Sequence, residues 1–212
     1  RTDPDAPRKQ LGISIILIDL KSPGITIRPI KTIAGDEEFA ECTFEDVRVP
    51  AENLVGAIND GWRIARSLLD HERIGNASPQ LALDLLDRVR RVARATGAMD
   101  DPAFQDRLTI VEIDVLSQAA IFAHAVKMAA ADMAIGPNSS FMKIVATENV
   151  QKIADLLLDA AGPHAADIEP LETEEGPIEI SKLWLDIRKH TIYAGSNEIQ
   201  RNIIVKRVLG LP

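Results

Sequence analysis

A single cysteine, Cys42, stands among 212 residues. No intramolecular disulfide framework is possible, and a reducing, cytoplasmic compartment suits the chain. Positive charge is also in deficit. Lys and Arg number 24 against 32 Asp and Glu, a net charge of −8, which argues against the basic footprint of a nucleic-acid binder. Short basic clusters such as RVRRVAR at 88–94 read as solvated helix faces. No apolar run approaches the roughly 20 residues that span a bilayer. The chain has no starting Met and no signal-like segment. It opens on RTDPDAPRKQLGISIILIDL, a turn-rich stretch feeding a strand, as expected of the interior of a longer protein. There is no G-x-G-x-x-G after a strand, no P-loop, no H-E-x-x-H and no second cysteine for zinc. His71, His124, His164 and His190 are far apart in sequence, so no metal site is expected.

What is present is a globular composition, 46% apolar. Residues 11–50 carry the β signal. Ile13 to Asp19 form a mostly apolar run that suits a buried strand, and Ser22-Pro23-Gly24 is a turn. Ile25–Ile30, Cys42–Phe44 and Val47–Val49 read as further strands, the last ended by Pro50. They amount to half a sheet in need of partners from upstream. After Gly61 the periodicity turns helical: Trp62, Ala65, Leu68 and Leu69 share a face. Ser78 and Pro79 either cap a new helix or kink one long helix. Further helices are expected over 81–94, 102–134, 139–160, 180–191 and 196–209, with a surface loop at 163–179. The fold class is therefore mainly α with a β segment, an antiparallel helical bundle following part of a β-barrel or sheet domain. Residues 1–57 form the β part and 58–212 the bundle.

Two stretches stand out. In LLDHERIGNA (68–77), Glu72 follows Leu68 and Leu69 by four and three residues. A carboxylate set into an apolar stripe would be desolvated, which raises its pKa and suits a general base. A stripe-edge position, solvated or paired with an arginine, is the other possibility. In YAGSNEIQR (193–201), Ser196 is a natural helix N-cap, and Gly195 permits positive φ or close approach of a ligand. Backbone N–H groups at such a helix start suit an anion or an electron-rich atom, whereas Glu198 in the first turn suits ordinary dipole compensation.

The chain resembles the second half of the acyl-CoA dehydrogenases. GISIILIDLKSPGITIRPIKTIAG, FEDVRVPAENLVGAINDGW, LLDHERI and IYAGSNEIQRNIIVKRVLGLP carry the resemblance, the last most specifically. It implies a later β domain and a C-terminal helical domain, FAD as cofactor, and an acyl-CoA thioester as substrate. It also implies electron-transfer flavoprotein or a similar acceptor as partner, and a homo- or heterotetramer. The implied reaction is α,β-dehydrogenation: a carboxylate takes the α-proton while the β-hydrogen leaves as hydride to the flavin.

In many relatives the base precedes the Gly of the C-terminal turn. Here that position is Ala194, which cannot accept a proton. Some relatives carry it instead on the earlier helix, in a Leu-Asp-x-Glu-Arg motif, and Glu72 matches that Glu. By the same match Asp70 and Arg73 would line the acyl-CoA site, Gly195 would approach the thioester and Lys206 would lie near CoA. Ser196, Asn197 and Glu198 would contact FAD, with Arg94 as a loose pyrophosphate candidate. Two departures bear on FAD. The usual Arg-x-x-Phe-Gly is replaced within RATGAMDDPAF, and in LLLDAAGPHA Asp159 stands where an amide is usual, an acid unfavourable beside a pyrophosphate. These departures and Ala194 support one alternative, a non-catalytic partner subunit of a heteromeric dehydrogenase; a flavin oxidase or monooxygenase of the same fold and a plain helical interaction domain without flavin are the others.

Overall fold

The computed structural model describes residues 1–131, 133 and 138–211, without the side chains of residues 69–71, 73 and 74. It divides into two compact units, Arg1–His71 and Glu72–Pro212.

The first unit holds two small antiparallel sheets. Strand β1 (Ile15–Ile16) pairs with β4 (Leu54–Val55), and β2 (Ile25–Ile30) pairs with β3 (Phe39–Phe44) in the register Ile25↔Phe44 to Ile30↔Phe39. Pro29 lies within β2 opposite Ala40, which is tolerated because β2 has a neighbour on one side only. The long first strand expected from 13–19 is therefore reduced to two paired residues, and Val47–Val49 form no strand. The reason for the second difference is local. The Glu45 N–H closes the β2–β3 pairing on Gly24 O at 2.9 Å, and Asp46 then turns left-handed at φ 50°. The chain beyond it is led away from the ladder into Pro50 and a 3₁₀ turn at Ala51–Asn53.

Helix α1 (Gly61–Gly75) ends at a break, and α2 (Gln80–Thr96) begins anew, so the Ser78-Pro79 pair separates two helices. Ser78 Oγ accepts from the Gln80 N–H at 3.3 Å. Helix α3 (Pro102–Ala130) starts where Asp101 accepts from the Ala103 N–H at 3.0 Å with Pro102 in the first turn. Helix α4 (Asn138–Ala161), α5 (Ile180–Ile187) and α6 (Asn197–Arg207) follow. The expected 180–191 helix changes to a 3₁₀ turn over Arg188–Thr191.

Helix α4 is the hub of the second unit, packing against α2, α3, α5 and α6. Leu86, Val89 and Val92 of α2, Phe104 and Val115 of α3, Ile153 and Leu157 of α4 and Ile180 and Ile187 of α5 share one buried cluster. Each such side chain contributes about 1.5–3 kcal/mol by leaving water. Helix α3 is long and apolar enough, by length and composition, to cross a membrane. Its buried residues Phe104, Leu108, Val111, Val115 and Gln118 face the bundle, while Ile110, Ile113 and Leu116 are exposed. The expected surface loop at 163–179 is partly anchored. Leu171 and Ile178 exchange both backbone hydrogen bonds at 2.9 Å, Ile178 is buried, and an Arg91 guanidinium N–H donates to Gly176 O at 3.1 Å.

Candidate functional site

The turn before α6 is built from two successive left-handed residues, Ala194 at φ 54° and Gly195 at φ 87°. Ala in that region is strained, by roughly 1–3 kcal/mol, and persists only where its surroundings over-determine it. Gly195 is needed twice over. Its φ favours glycine, and a Cβ there would lie 2.6 Å from the Gln200 side-chain nitrogen. The close approach that Gly195 permits is thus made by the chain's own Gln200, whose Nε2 donates to Gly195 O at 3.3 Å.

The helix start is less open than its sequence suggests. Ser196 Oγ accepts from the Ile199 N–H at 3.5 Å, and the Gln200 N–H goes to Ser196 O at 3.0 Å. Glu198 folds back so that its own backbone N–H and then the Ser196 hydroxyl donate to its carboxylate, holding the carboxyl below its ordinary range, with help from Arg201 and Lys143. Its exposed carboxylate occupies the position where a helix N-terminus favours an anionic oxygen. An oxygen of a bound molecule takes that place once this exposed side chain swings away, and on this donor chemistry the turn fits a flavin edge or a thioester carbonyl.

Asn197 points inward rather than to the exposed side of the turn. It is buried, and its Oδ1 accepts from Lys143 Nζ at 2.8 Å and lies 3.1 Å from Thr147 Oγ1. Any contact of Asn197 with a cofactor therefore falls to its backbone. Lys206 is exposed in the last turn of α6, roughly 13 Å along the helix axis from its start.

Glu72 is exposed. Trp62 and Leu68 of the same helix are exposed as well, so the described side chains do not form the desolvating stripe expected around the carboxylate. The side chains of Asp70 and Arg73, both expected to line the acyl-CoA site, lie outside the described residues. Arg94 is committed elsewhere: its guanidinium donates to Glu175 at 3.1 Å, on the segment carrying the Leu171–Ile178 bridge. Asp159 is paired with Arg107 at 2.6 Å, which offsets the charge that made it unfavourable near a pyrophosphate. Among the described residues, no group of three His, Cys, Asp or Glu is placed to hold a metal ion.

Sequence reasoning passed over a layer of buried polar side chains behind these elements. Lys143 and Thr147 of α4 reach the turn, as just described. Also on α4, Asn149 donates to Gln118 Oε1 of α3 at 3.0 Å, and Gln118 Nε2 donates to the carbonyls of Ala77 and Ser78 at 3.3 and 3.2 Å. That second relay pins the break that follows Glu72. The available signal was Ser140, Lys143 and Thr147 at i, i+3 and i+7, a polar stripe of helical period that ordinarily marks a solvated face.

Comparison with known proteins agrees with this architecture. Residues 59–209 match the family model described as the acyl-CoA dehydrogenase C-terminal domain. Acyl-CoA dehydrogenase IpdE1 of Mycobacterium tuberculosis (strain ATCC 25618 / H37Rv) is 36% identical over 207 residues, covering 97% of this chain and 52% of its own length. The chain thus spans about half the length of the curated relatives it matches. Among solved structures, the Tcur3481-Tcur3483 steroid ACAD superposes with a TM-score of 0.86 at 28% identity, covering 100% of this chain and 55% of that one. The ChsE4-ChsE5 complex from Mycobacterium tuberculosis gives 0.78 at 27% identity, covering 97% and 55%. With its helical bundle, its Gly195 turn and a family match over most of its length, the chain belongs to the acyl-CoA dehydrogenase family.

Proposed function

We propose that this chain is the C-terminal half of a cytoplasmic, FAD-dependent acyl-CoA dehydrogenase subunit, with the β part ending at residue 57 and the bundle beginning at 58. The observation that carries the reading is the absence of a carboxylate at the position before Gly195, together with a separate available carboxylate. Ala194 occupies the turn and Glu72 stands exposed near the end of α1. Glu72 removes the α-proton of the acyl thioester. The Gly195–Glu198 turn polarises the thioester carbonyl, which makes that proton acidic enough for a carboxylate to take. FAD, when bound, supplies the acceptor for the β-hydride. Ser196, the Asn197 backbone and Glu198 hold it at the turn, and Arg94 faces it only if freed from Glu175. Asp70, Arg73 and Lys206 bind the acyl-CoA, and electron-transfer flavoprotein or a similar protein takes the electrons.

Assembly into a tetramer is supported by the exposed apolar residues Ile110, Ile113 and Leu116 of α3, which a second subunit would cover. A second reading, the non-catalytic member of a heteromeric pair, is favoured by Ala194 and by the likeness to two structures whose descriptions each name two components.

Glu72→Gln in the full-length, FAD-loaded protein tests the main reading, assayed by flavin bleaching with a panel of acyl-CoAs that includes a steroid-like acyl group. A fall in turnover of about 10²–10⁴-fold is expected for loss of a general base. Unchanged turnover removes Glu72 as base. Wild-type protein that bleaches only when a partner subunit is added supports the second reading. Rapid reoxidation of the reduced protein by oxygen would point instead to an oxidase or monooxygenase.

A further inference from the structure

Lys143 is 1% exposed, at the interface of α4 and α6. Among the described residues its ammonium has a single hydrogen-bond partner, Asn197 Oδ1 at 2.8 Å. Burying an ammonium costs several kcal/mol unless it is well paired. Desolvation accordingly pushes the Lys143 pKa down, against a longer-range pull from Glu198. The site is unfavourable in a second way, because the start of α6 carries the positive end of a helix dipole. Met or Leu would serve packing better at this position. The side chain is therefore better explained by what it holds than by what it stabilises.

What it holds is the first residue of α6. Asn197 follows directly on Ala194, Gly195 and Ser196, and its Oδ1 accepts from Lys143 Nζ of α4, with Thr147 Oγ1, whose single proton is shared with the Lys143 carbonyl at 2.9 Å, also within 3.1 Å. Gln200, fully buried, grips the same turn from the other side through Gly195 O. A turn with Ala194 at φ 54° stores strain that an untethered chain would release by rotating out of the left-handed region. We propose that Lys143 is a positioning residue. Through Asn197 it locks the strained Ala194–Gly195 turn in the shape that presents its outer side to the thioester and flavin, and its charge makes that side favour the negative charge developing on the thioester oxygen. The functional half of this proposal rests on the acyl-CoA dehydrogenase reading above; the tethering half does not.

The test uses the full-length protein with Lys143→Met, Lys143→Gln and Asn197→Ala. The first readout, on FAD-free protein, is amide hydrogen exchange. Lys143→Met and Asn197→Ala should each speed exchange across residues 194–198 about tenfold, the signature of a locally loosened segment. The central turns of α4 should be unchanged, and Lys143→Gln, which keeps a donor for Asn197, should restore most of the protection. The second readout, on FAD-loaded protein, is flavin bleaching by acyl-CoA. Lys143→Met should lower kcat at least tenfold with little change in KM, while thermal stability holds or rises because a buried charge is gone. Exchange at 194–198 unchanged in both Lys143→Met and Asn197→Ala overturns the tether. Faster exchange with undiminished kcat overturns the positioning role. If Lys143→Met does not fold, Asn197→Ala and Lys143→Gln decide the same two points. A wild-type protein that no acyl-CoA bleaches, alone or with a partner subunit, sinks the dehydrogenase reading and the functional half with it, and the exchange data still judge the tether.

Discussion

Replacing Gly195 by Ala should be costly for two separable reasons. At φ 87° an alanine takes on backbone strain of about 1–3 kcal/mol. Its Cβ would also sit 2.6 Å from Gln200 Nε2, on a side chain that is fully buried and has no open path outward. Moving that amide breaks its 3.3 Å bond to Gly195 O, worth about 1 kcal/mol. The expected loss is about 2–4 kcal/mol, the sum of these two contributions. Gly97 provides an internal reference. Its φ is nearly the same, 81°, yet a Cβ there would meet only Asp100 Oδ2 at 3.9 Å. Gly97→Ala should therefore register the strain alone, about 1–3 kcal/mol. Urea unfolding of the full-length protein carrying each change, and of Gly195→Ala combined with Gln200→Ala, measures the difference. Gly195→Ala should cost about 1 kcal/mol more than Gly97→Ala, and that excess should vanish once Gln200 is cut back. Equal losses at the two glycines, or an excess that survives Gln200→Ala, would refute the claim that Gln200 fills the space under the turn.

Two further expectations concern the same unit, beside the loss of turnover expected for Glu72→Gln. The folded pKa of Glu198 lies below its ordinary value, so its stabilising contribution is present above the unfolded value and is lost as pH falls through the folded one. Glu198→Gln should flatten the acid limb of the stability–pH curve, and an identical acid limb would count against the folded-back carboxylate. Gln118→Leu removes the donor to the carbonyls of Ala77 and Ser78 and one of the two acceptors of the Asn149 amide, which keeps Asp114 O. It should cost about 2–3 kcal/mol in urea unfolding and speed amide exchange around residues 75–78; a neutral result would remove the relay as an anchor of the α1–α2 break.

The helices were legible in the sequence because their signals are local. Asp101-Pro102 starts α3, Gly97 in the left-handed region ends α2, and apolar periodicity carries α2 and α4 between their ends. The strands were less so, because pairing depends on where a distant turn releases the chain. Asp46 at φ 50° ended the ladder before Val47–Val49 could join it. The Glu-rich stretch at 163–179 concealed an anchor, since Ile178 joins the buried cluster of the bundle and is bridged to Leu171. Periodicity left two surroundings open for Glu72, because it says which residues share a face and not whether anything covers it.

By itself the sequence determined the class of fold, the family, and the absence of a carboxylate at the position before Gly195, because these follow from residue type and short-range spacing. Ala194 cannot accept a proton in any conformation. Tertiary structure alone decided how the turn is held. Lys143 and Asn197 lie 54 positions apart, and a polar stripe on a helix reads as solvated until another helix is packed over it. Only then does an ordinary lysine become a buried cation bonded to Asn197, and an ordinary helix start a tethered one.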